Sequence, residues 1–100
     1  MEEKLKQELF ELISQTPGIV AFGIIEDPTF SKINKSTLYS ESIIKIEQKN
    51  KKNDISFSIF VSVGVNIKIL IEGLRTQIKF FLKRHNEDLQ NLNIQIRGVM

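Results

Sequence analysis

The chain has 100 residues, of which 41% are hydrophobic and 26% are charged, and its formal net charge at pH 7 is +2. This length and composition predict one globular domain over residues 1–100 and exclude an intrinsically disordered chain. Because the chain has no cysteine, disulfides, thiolate catalysis and cysteine-based zinc sites are excluded.

Apolar runs in the sequence are too short to span a bilayer, which takes roughly 20 consecutive residues. The polar start Met1-Glu2-Glu3-Lys4 lacks the apolar segment of a secretory signal, so we expect a cytoplasmic protein. The basic excess is a weak indication of nucleic-acid binding. Arg, the preferred residue for bidentate phosphate and base contacts, occurs only at Arg75, Arg84 and Arg97.

The first half of the chain predicts a helix, a strand and a long loop. Apolar residues at helical spacing predict a helix from Glu2 to Gln15, which the turn Thr16-Pro17-Gly18 ends. The segment from Ile19 to Glu26 is apolar at nearly every position, as in a short interior strand. A polar loop of residues 27–40 follows, long enough to suggest a function of its own.

The strongest pattern lies in the second half. From Ile55 to Val63 apolar residues alternate with serines, which predicts a half-buried strand. A weaker strand from Ser42 to Gln48 precedes it, and a polar hairpin turn of residues 49–54 joins the two. At Asn66, a good N-cap, the period changes to that of an amphipathic helix.

The last strand is predicted around Leu92, Ile94 and Ile96, which gives the element order α-β-β-β-α-β. Three strands can pair as antiparallel neighbours, and a helical crossover returns the fourth to the sheet. Each helix has one apolar face. We therefore predict an α+β, two-layer sandwich with a mostly antiparallel sheet and both helices covering the same face.

The opposite sheet face is predicted to be mostly solvated, because it carries Ser56, Ser58, Ser62, Gln95 and Arg97. Phe22 and Phe60 are exceptions on that face. Such aromatic residues either pack beneath a loop or form the centre of a partner interface. Phe60 is therefore a candidate partner-binding residue.

The sequence does not predict catalysis. The single histidine, His85, follows Lys83-Arg84 at the end of the second helix, where a cation suits the helix dipole. The close carboxylate pairs lie on polar helix faces or in a loop, as solvated surface groups do. No phosphate-binding, nucleophile-elbow or zinc-protease motif occurs. We expect no enzyme activity, no metal, no cofactor and no small-molecule substrate.

The second helix carries a basic ridge, which we define as Lys68, Arg75, Lys79 and Lys83. Successive residues of the ridge are four or seven positions apart and share one side of the helix, with Glu72 as the one opposing charge. Local pairing of Glu72 with Lys68 or Arg75 is the simpler interpretation. The alternative is a surface for RNA, an anionic membrane or an acidic protein.

Two features weigh against RNA. Phe80 and Phe81 are expected near or within the apolar face, so they do not interleave with the basic ridge as base-stacking residues would. The chain also has no G-x-x-G loop of the KH type between helices.

The charges of the two helices favour self-association. The first helix is acidic on its outward side and the second is basic, so the acidic helix of one copy can attract the basic helix of the next. We therefore include a homo-oligomer among the expected partners.

Three motifs stand out along the chain: the turn and strand start Thr16-Pro17-Gly18-Ile19-Val20, the junction Gly64-Val65-Asn66-Ile67, and the final strand Asn93-Ile94-Gln95-Ile96-Arg97-Gly98-Val99. Together they resemble the alkaline shock protein family of Gram-positive bacteria and their wall-less relatives. The order and spacing of the motifs cover nearly the whole chain. The family has no catalytic residues to carry over, and we interpret the turn and the junction as architectural.

The resemblance implies a non-enzymatic cytoplasmic protein linked to cell-envelope stress and held near the membrane by partner proteins. Some members are encoded beside lipid or fatty-acid metabolism functions. From it we predict an interaction or adaptor protein, with a protein partner that is membrane-associated or involved in lipid metabolism. The alternative hypothesis is a small RNA-binding module that uses the basic ridge.

Overall fold

The computed structural model describes residues 1–24, 32–33 and 43–100, which form two helices and five strands. The helices are α1 (Glu3–Ser14) and α2 (Ile67–Arg84), and the strands are β1 (Ile19–Gly23), β2 (Lys32–Ile33), β3 (Ile44–Lys49), β4 (Lys52–Val61) and β5 (Asp88–Val99). The predicted α+β class is confirmed, with the two-residue β2 added to the predicted order. The rest of the loop predicted over residues 27–40 lies outside the described residues.

Strand β4 is the centre of the sheet. One of its edges pairs in parallel with β5 from Lys52 to Val61. This parallel pair is the predicted helical crossover, since α2 connects the two strands. The other edge pairs antiparallel, first with β3 and then with β1. The short β2 pairs antiparallel with the end of β1.

Strands β1 and β3 share one edge of β4. Gly23 at the end of β1 pairs with Ser58, and Ile44 at the start of β3 pairs with the adjacent Phe57. The two strands therefore continue each other along β4, separated in sequence by residues 24–43. The sequence pattern predicted antiparallel neighbours without indicating that two of them are collinear.

The hairpin between β3 and β4 is tighter than predicted. Lys49 pairs with Lys52, so the turn consists of Asn50 and Lys51 alone. Their φ angles are 53° and 64°, the left-handed values of a type I′ turn, whose twist suits a β-hairpin. Strand β4 consequently begins at Lys52, and the predicted turn residue Asn53 belongs to it.

A single hydrophobic core joins the helices to the sheet. It contains the inward residues of β4, namely Ile55, Phe57, Ile59 and Val61, together with apolar residues of β1, β3 and both helices. The side chains of Leu9 in α1 and Leu74 in α2 have no exposed surface. Residues of β5 pack against this core but stay partly exposed, including Leu92, Ile94 and Ile96.

The placement of Phe22 corrects the sequence analysis. Its side chain is fully buried in the core, with its ring centroid 5.0 Å from that of Phe10, rather than on the opposite face. The cause is a β-bulge: Ile19 pairs with Val61 and Ala21 with Phe60, so two steps along β1 match one step along β4. A bulge shifts the alternation of the residues that follow it.

Both ends of α2 have capping interactions. The Asn66 side chain accepts a hydrogen bond from the backbone nitrogen of Ile69 at 3.1 Å, which confirms the predicted N-cap. At the other end, Asn86 has a φ of 59°. The backbone nitrogens of Asn86 and Glu87 donate to the carbonyls of Lys83 and Leu82, the pattern of a Schellman motif.

Candidate functional site

Two of the three sequence motifs lie against each other. Gly18, with a φ of 99°, is so close to the junction that a β-carbon on it would lie 2.8 Å from Cγ2 of Val65. The backbone nitrogen of Ser62 donates to the Gly18 carbonyl at 2.9 Å. The turn and the junction therefore form one packed unit where β4 leads into α2.

The remaining residues of these motifs also have structural roles or lie on the surface. Thr16 Oγ1 lies 3.2 Å from the Leu12 carbonyl and 3.4 Å from Oε1 of Gln77, so it links the end of α1 to α2. Gly64 has a φ of 84°, a value that few other residues adopt without strain. Pro17 and Ile67 are exposed. These contacts support the architectural interpretation of the motifs.

Phe60 is placed on the predicted face, away from the main core, but it is only 4% exposed. Its ring lies against Gly98, where a β-carbon would be 3.3 Å from Cδ1 of Phe60, and its cross-strand partner is the buried Ala21. The neighbouring Ser58 is 2% exposed. This part of the sheet face is therefore buried rather than solvated, and Phe60 is not an exposed anchor for a partner.

All four residues of the basic ridge are exposed on α2. The simpler interpretation, local charge pairing, is not realised: among the residues that the structure describes, the ion pairs are Lys6 with Glu3 and Lys45 with Glu47. Glu72 pairs with neither Lys68 nor Arg75. The ridge therefore presents its positive charges to solvent.

Phe80 is exposed, contrary to the sequence analysis. Its side chain is 68% exposed, whereas Phe81 is 4% exposed and belongs to the core. Phe80 lines a shallow depression of about 520 Å³ with Thr76, Lys79, Lys83 and Arg84. The sequence contained the signal, because Phe80 and the core residue Phe81 are adjacent and point about 100° apart on a helix.

A second exposed apolar residue of α2 lies on the same side as Phe80. Ile69 is 65% exposed and precedes Phe80 by three helical turns, or about 16 Å along the axis. We call Ile69 and Phe80 the exposed apolar pair. An apolar pair beside a cationic ridge can bind a surface that combines apolar and acidic side chains.

The orientation of α2 follows from its contacts with α1. Gln77 lies on the side of α2 that faces α1, because its Oε1 is 3.4 Å from Oγ1 of Thr16 at the end of α1. Arg84 and Phe81 line a cavity of about 480 Å³ with α1 residues. Lys68, Arg75 and Lys79 are about 160–180° around the helix from Gln77. Three of the ridge cations therefore point away from α1.

His85 lies near carboxylates that the sequence did not bring together. It lines a cavity of about 300 Å³ with Glu2, Glu8 and Glu87, and its ring centroid is 4.8 Å from that of Phe81. Glu87 accepts hydrogen bonds from Gln48 and Asn53 at 2.9 Å each. Within the described part of the chain no three His, Cys, Asp or Glu residues are arranged to hold a metal ion.

Asn53 is a buried polar residue that the sequence analysis missed. Its side chain is fully buried, and Nδ2 donates to Glu87 Oε1 at 2.9 Å and to the Asp88 carbonyl at 3.0 Å. It thereby fixes the start of β5 against the hairpin. Extending the alternation of Ile55 and Phe57 by one step places Asn53 on the inward face, which is the signal that could have identified it.

Comparisons with protein-family models, with curated proteins and with solved structures find no match to this chain. Neither of the two helices that the structure describes is long and apolar enough to cross a membrane. The assignment of a function consequently depends on the surfaces described above and on the sequence resemblance.

Proposed function

We propose that this protein is a non-enzymatic interaction protein that binds a protein partner through the exposed surface of α2. The observation that carries the proposal is the exposed apolar pair, Ile69 and Phe80, with Phe80 in one depression with Lys79 and Lys83 of the basic ridge. Exposed apolar groups rimmed by polar or charged residues can form binding surfaces.

The sequence resemblance supplies the biological setting of this proposal. As a member of the alkaline shock protein family, the protein would act in the cytoplasm, and its partner would belong to the cell envelope or to lipid metabolism. Two of the motifs that carry the resemblance pack together through Gly18 and Val65. This contact supports a structural role for both motifs rather than a role in binding. We therefore assign binding to the exposed surface of α2.

Affinity capture from native lysate tests the proposal. Wild-type protein should retain a protein partner after nuclease treatment and at high salt. Capture should fall in an Ile69→Ser/Phe80→Ser variant, which removes the exposed apolar pair. Val63, at 77% exposure, lies outside α2, so Val63→Ser is a matched control that should capture the partner normally. Capture unchanged by the double substitution would contradict the proposal.

RNA binding is the second candidate, and the exposure of Phe80 favours it. An aromatic ring at 68% exposure, flanked by Lys79, Lys83 and Arg84, can stack on a base while the cations neutralise phosphates. The expected place of Phe80 near or within the apolar face was one of two features against RNA, and the exposure of Phe80 removes that one.

A labelled single-stranded RNA separates the two candidates. If RNA is the ligand, Lys79→Glu/Lys83→Glu should weaken binding and flatten its salt dependence. Phe80→Ser should weaken binding at every salt concentration, by about 1–3 kcal/mol for one stacked base. RNA binding that is absent at moderate salt, together with nuclease-resistant capture of a protein, would rule out this candidate.

A further inference from the structure

The outer edge of β5 is open among the described residues, because β5 pairs there with no strand other than β4. Natural edge strands are commonly protected by charges, by proline or by short length. Strand β5 has 12 residues, and from Leu89 to Ile96 it contains neither a charged residue nor a proline. Within the described part of the chain, no strand takes up the outward backbone groups of β5, so an added strand can pair with them.

The regular part of this edge has a suitable length and an apolar inner side. Register shifts interrupt the pairing near its two ends, and the stretch Asn91–Ile96 pairs regularly between them. Leu92 and Ile94 are partly exposed, whereas their partners Ile55 and Phe57 are at most 2% exposed. An added strand would bury the half-exposed residues of β5, as the neighbouring strands bury those of β4.

Helical geometry directs three cations of α2 toward this edge. Lys68, Arg75 and Lys79 lie on the side of α2 away from α1, and α1 packs over β1, across β4 from β5, where Phe10 contacts Phe22. Helix α2 contacts β5, so these cations are directed toward the β5 edge. Arg75 and Lys79 are about 6 Å apart along the helix axis, close to the roughly 6.8 Å between alternate residues of a strand.

We propose that the β5 edge binds an extended acidic segment of a protein partner by strand addition. Backbone hydrogen bonds to β5 hold the segment, and acidic side chains at alternate positions reach Arg75 and Lys79. The inference rests on the proposed function and specifies the partner's chemistry. A second copy of this chain fits less well, because pairing two β5 edges antiparallel brings two sets of like charges together.

A synthetic peptide tests this proposal on the full chain. The probe is a fluorescein-labelled peptide that alternates Glu with Val and is long enough to span Asn91–Ile96. Its control has the same composition with the Glu and Val residues grouped in blocks. Fluorescence anisotropy measures binding, and NMR hydrogen exchange locates the protected amides. Two double variants are compared: Arg75→Glu/Lys79→Glu, and Lys4→Glu/Lys49→Glu as the matched charge change elsewhere on the surface.

Strand addition predicts that the alternating peptide binds and slows exchange of outward amides within Asn91–Ile96. Arg75→Glu/Lys79→Glu should weaken it about tenfold or more, and the matched variant much less. Equal binding of the block peptide, no binding, or protection outside β5 would overturn the proposal. The proposal would also be overturned if the β5 amides were protected only when the protein self-associates or only when RNA is added. If the peptide fails while capture still depends on Ile69 and Phe80, only strand addition is wrong.

Discussion

A β-carbon placed on Gly18 would lie 2.8 Å from Cγ2 of Val65, although the two residues are 47 positions apart. This close approach joins the turn after α1 to the junction before α2. Leu70 of α2 adds a further contact, 3.6 Å from the same point. Two short motifs that are far apart in the sequence are therefore parts of one packing arrangement.

Gly18→Ala should destabilise the protein. The substitution forces a side chain into a backbone with a φ of 99°, which costs about 1–2 kcal/mol, and it adds the clash with Val65. Urea unfolding followed by circular dichroism measures the loss. Gly73→Ala is the control, because Gly73 lies in α2 with open space around it, and alanine there should stabilise the helix by up to about 1 kcal/mol.

A double-mutant cycle separates the two causes. Val65→Ala in the Gly18→Ala background should recover the part of the loss that comes from the clash, giving a favourable coupling energy between the two sites. A coupling energy near zero would mean that backbone strain alone accounts for the effect of Gly18→Ala.

Phe60→Ser should act on stability rather than directly on binding. Phe60 is 4% exposed and packs against Gly98, so removing its ring should cost about 3 kcal/mol or more. Thermal unfolding measures this. Phe80→Ser is the comparison: Phe80 is 68% exposed, and its substitution should change stability by no more than about 0.5 kcal/mol. Equal, small effects of both substitutions would contradict the burial of Phe60.

Asn53→Ala should destabilise the start of β5. The change removes the hydrogen bonds from Nδ2 to Glu87 Oε1, which keeps its bond from Gln48, and to the Asp88 carbonyl, at a cost of about 1–3 kcal/mol. Hydrogen exchange of the β5 amides should rise first near Asp88. Gln90→Ala, at an exposed position of the same strand, should leave both stability and exchange nearly unchanged.

Asn66→Ala should weaken α2 at its first turn. Alanine cannot accept the hydrogen bond from the Ile69 nitrogen, and loss of such an N-cap costs about 1 kcal/mol. Chemical denaturation of Asn66→Ala and Asn66→Asp provides the measurement. Aspartate can accept the same hydrogen bond, so the second variant should keep wild-type stability. A loss of the same size in both variants would contradict the capping role.

The fold was predictable where a periodic pattern had a clear phase. The alternation from Ile55 and the cap at Asn66 located β4 and α2, because apolar and polar residues differ sharply there. The run from Ile19 has almost no polar residue to set a phase, so the bulge that turns Phe22 inward was not predictable. Collinearity of β1 and β3 is a long-range property that no local pattern contains.

The candidate surface was predictable in part for a similar reason. Charged side chains such as Lys68 and Arg75 are exposed in almost any helix, so the basic ridge followed from spacing alone. The burial of Phe60 depends on Gly98 and Ala21, which are distant in sequence and meet only in the sheet. Its exposure could therefore not be judged from β4 by itself.

The shared edge of β4 has a consequence for how the chain can vary. Gly23 and Ile44 pair with adjacent residues of β4, so the two ends of the intervening segment meet at neighbouring positions of the sheet. The registers of β1 and β3 are set by β4 and not by the length of the segment between them. We expect the stretch of chain between β1 and β3 to accept insertions, deletions or a grafted peptide while the two helices and the central strand pairing remain unchanged.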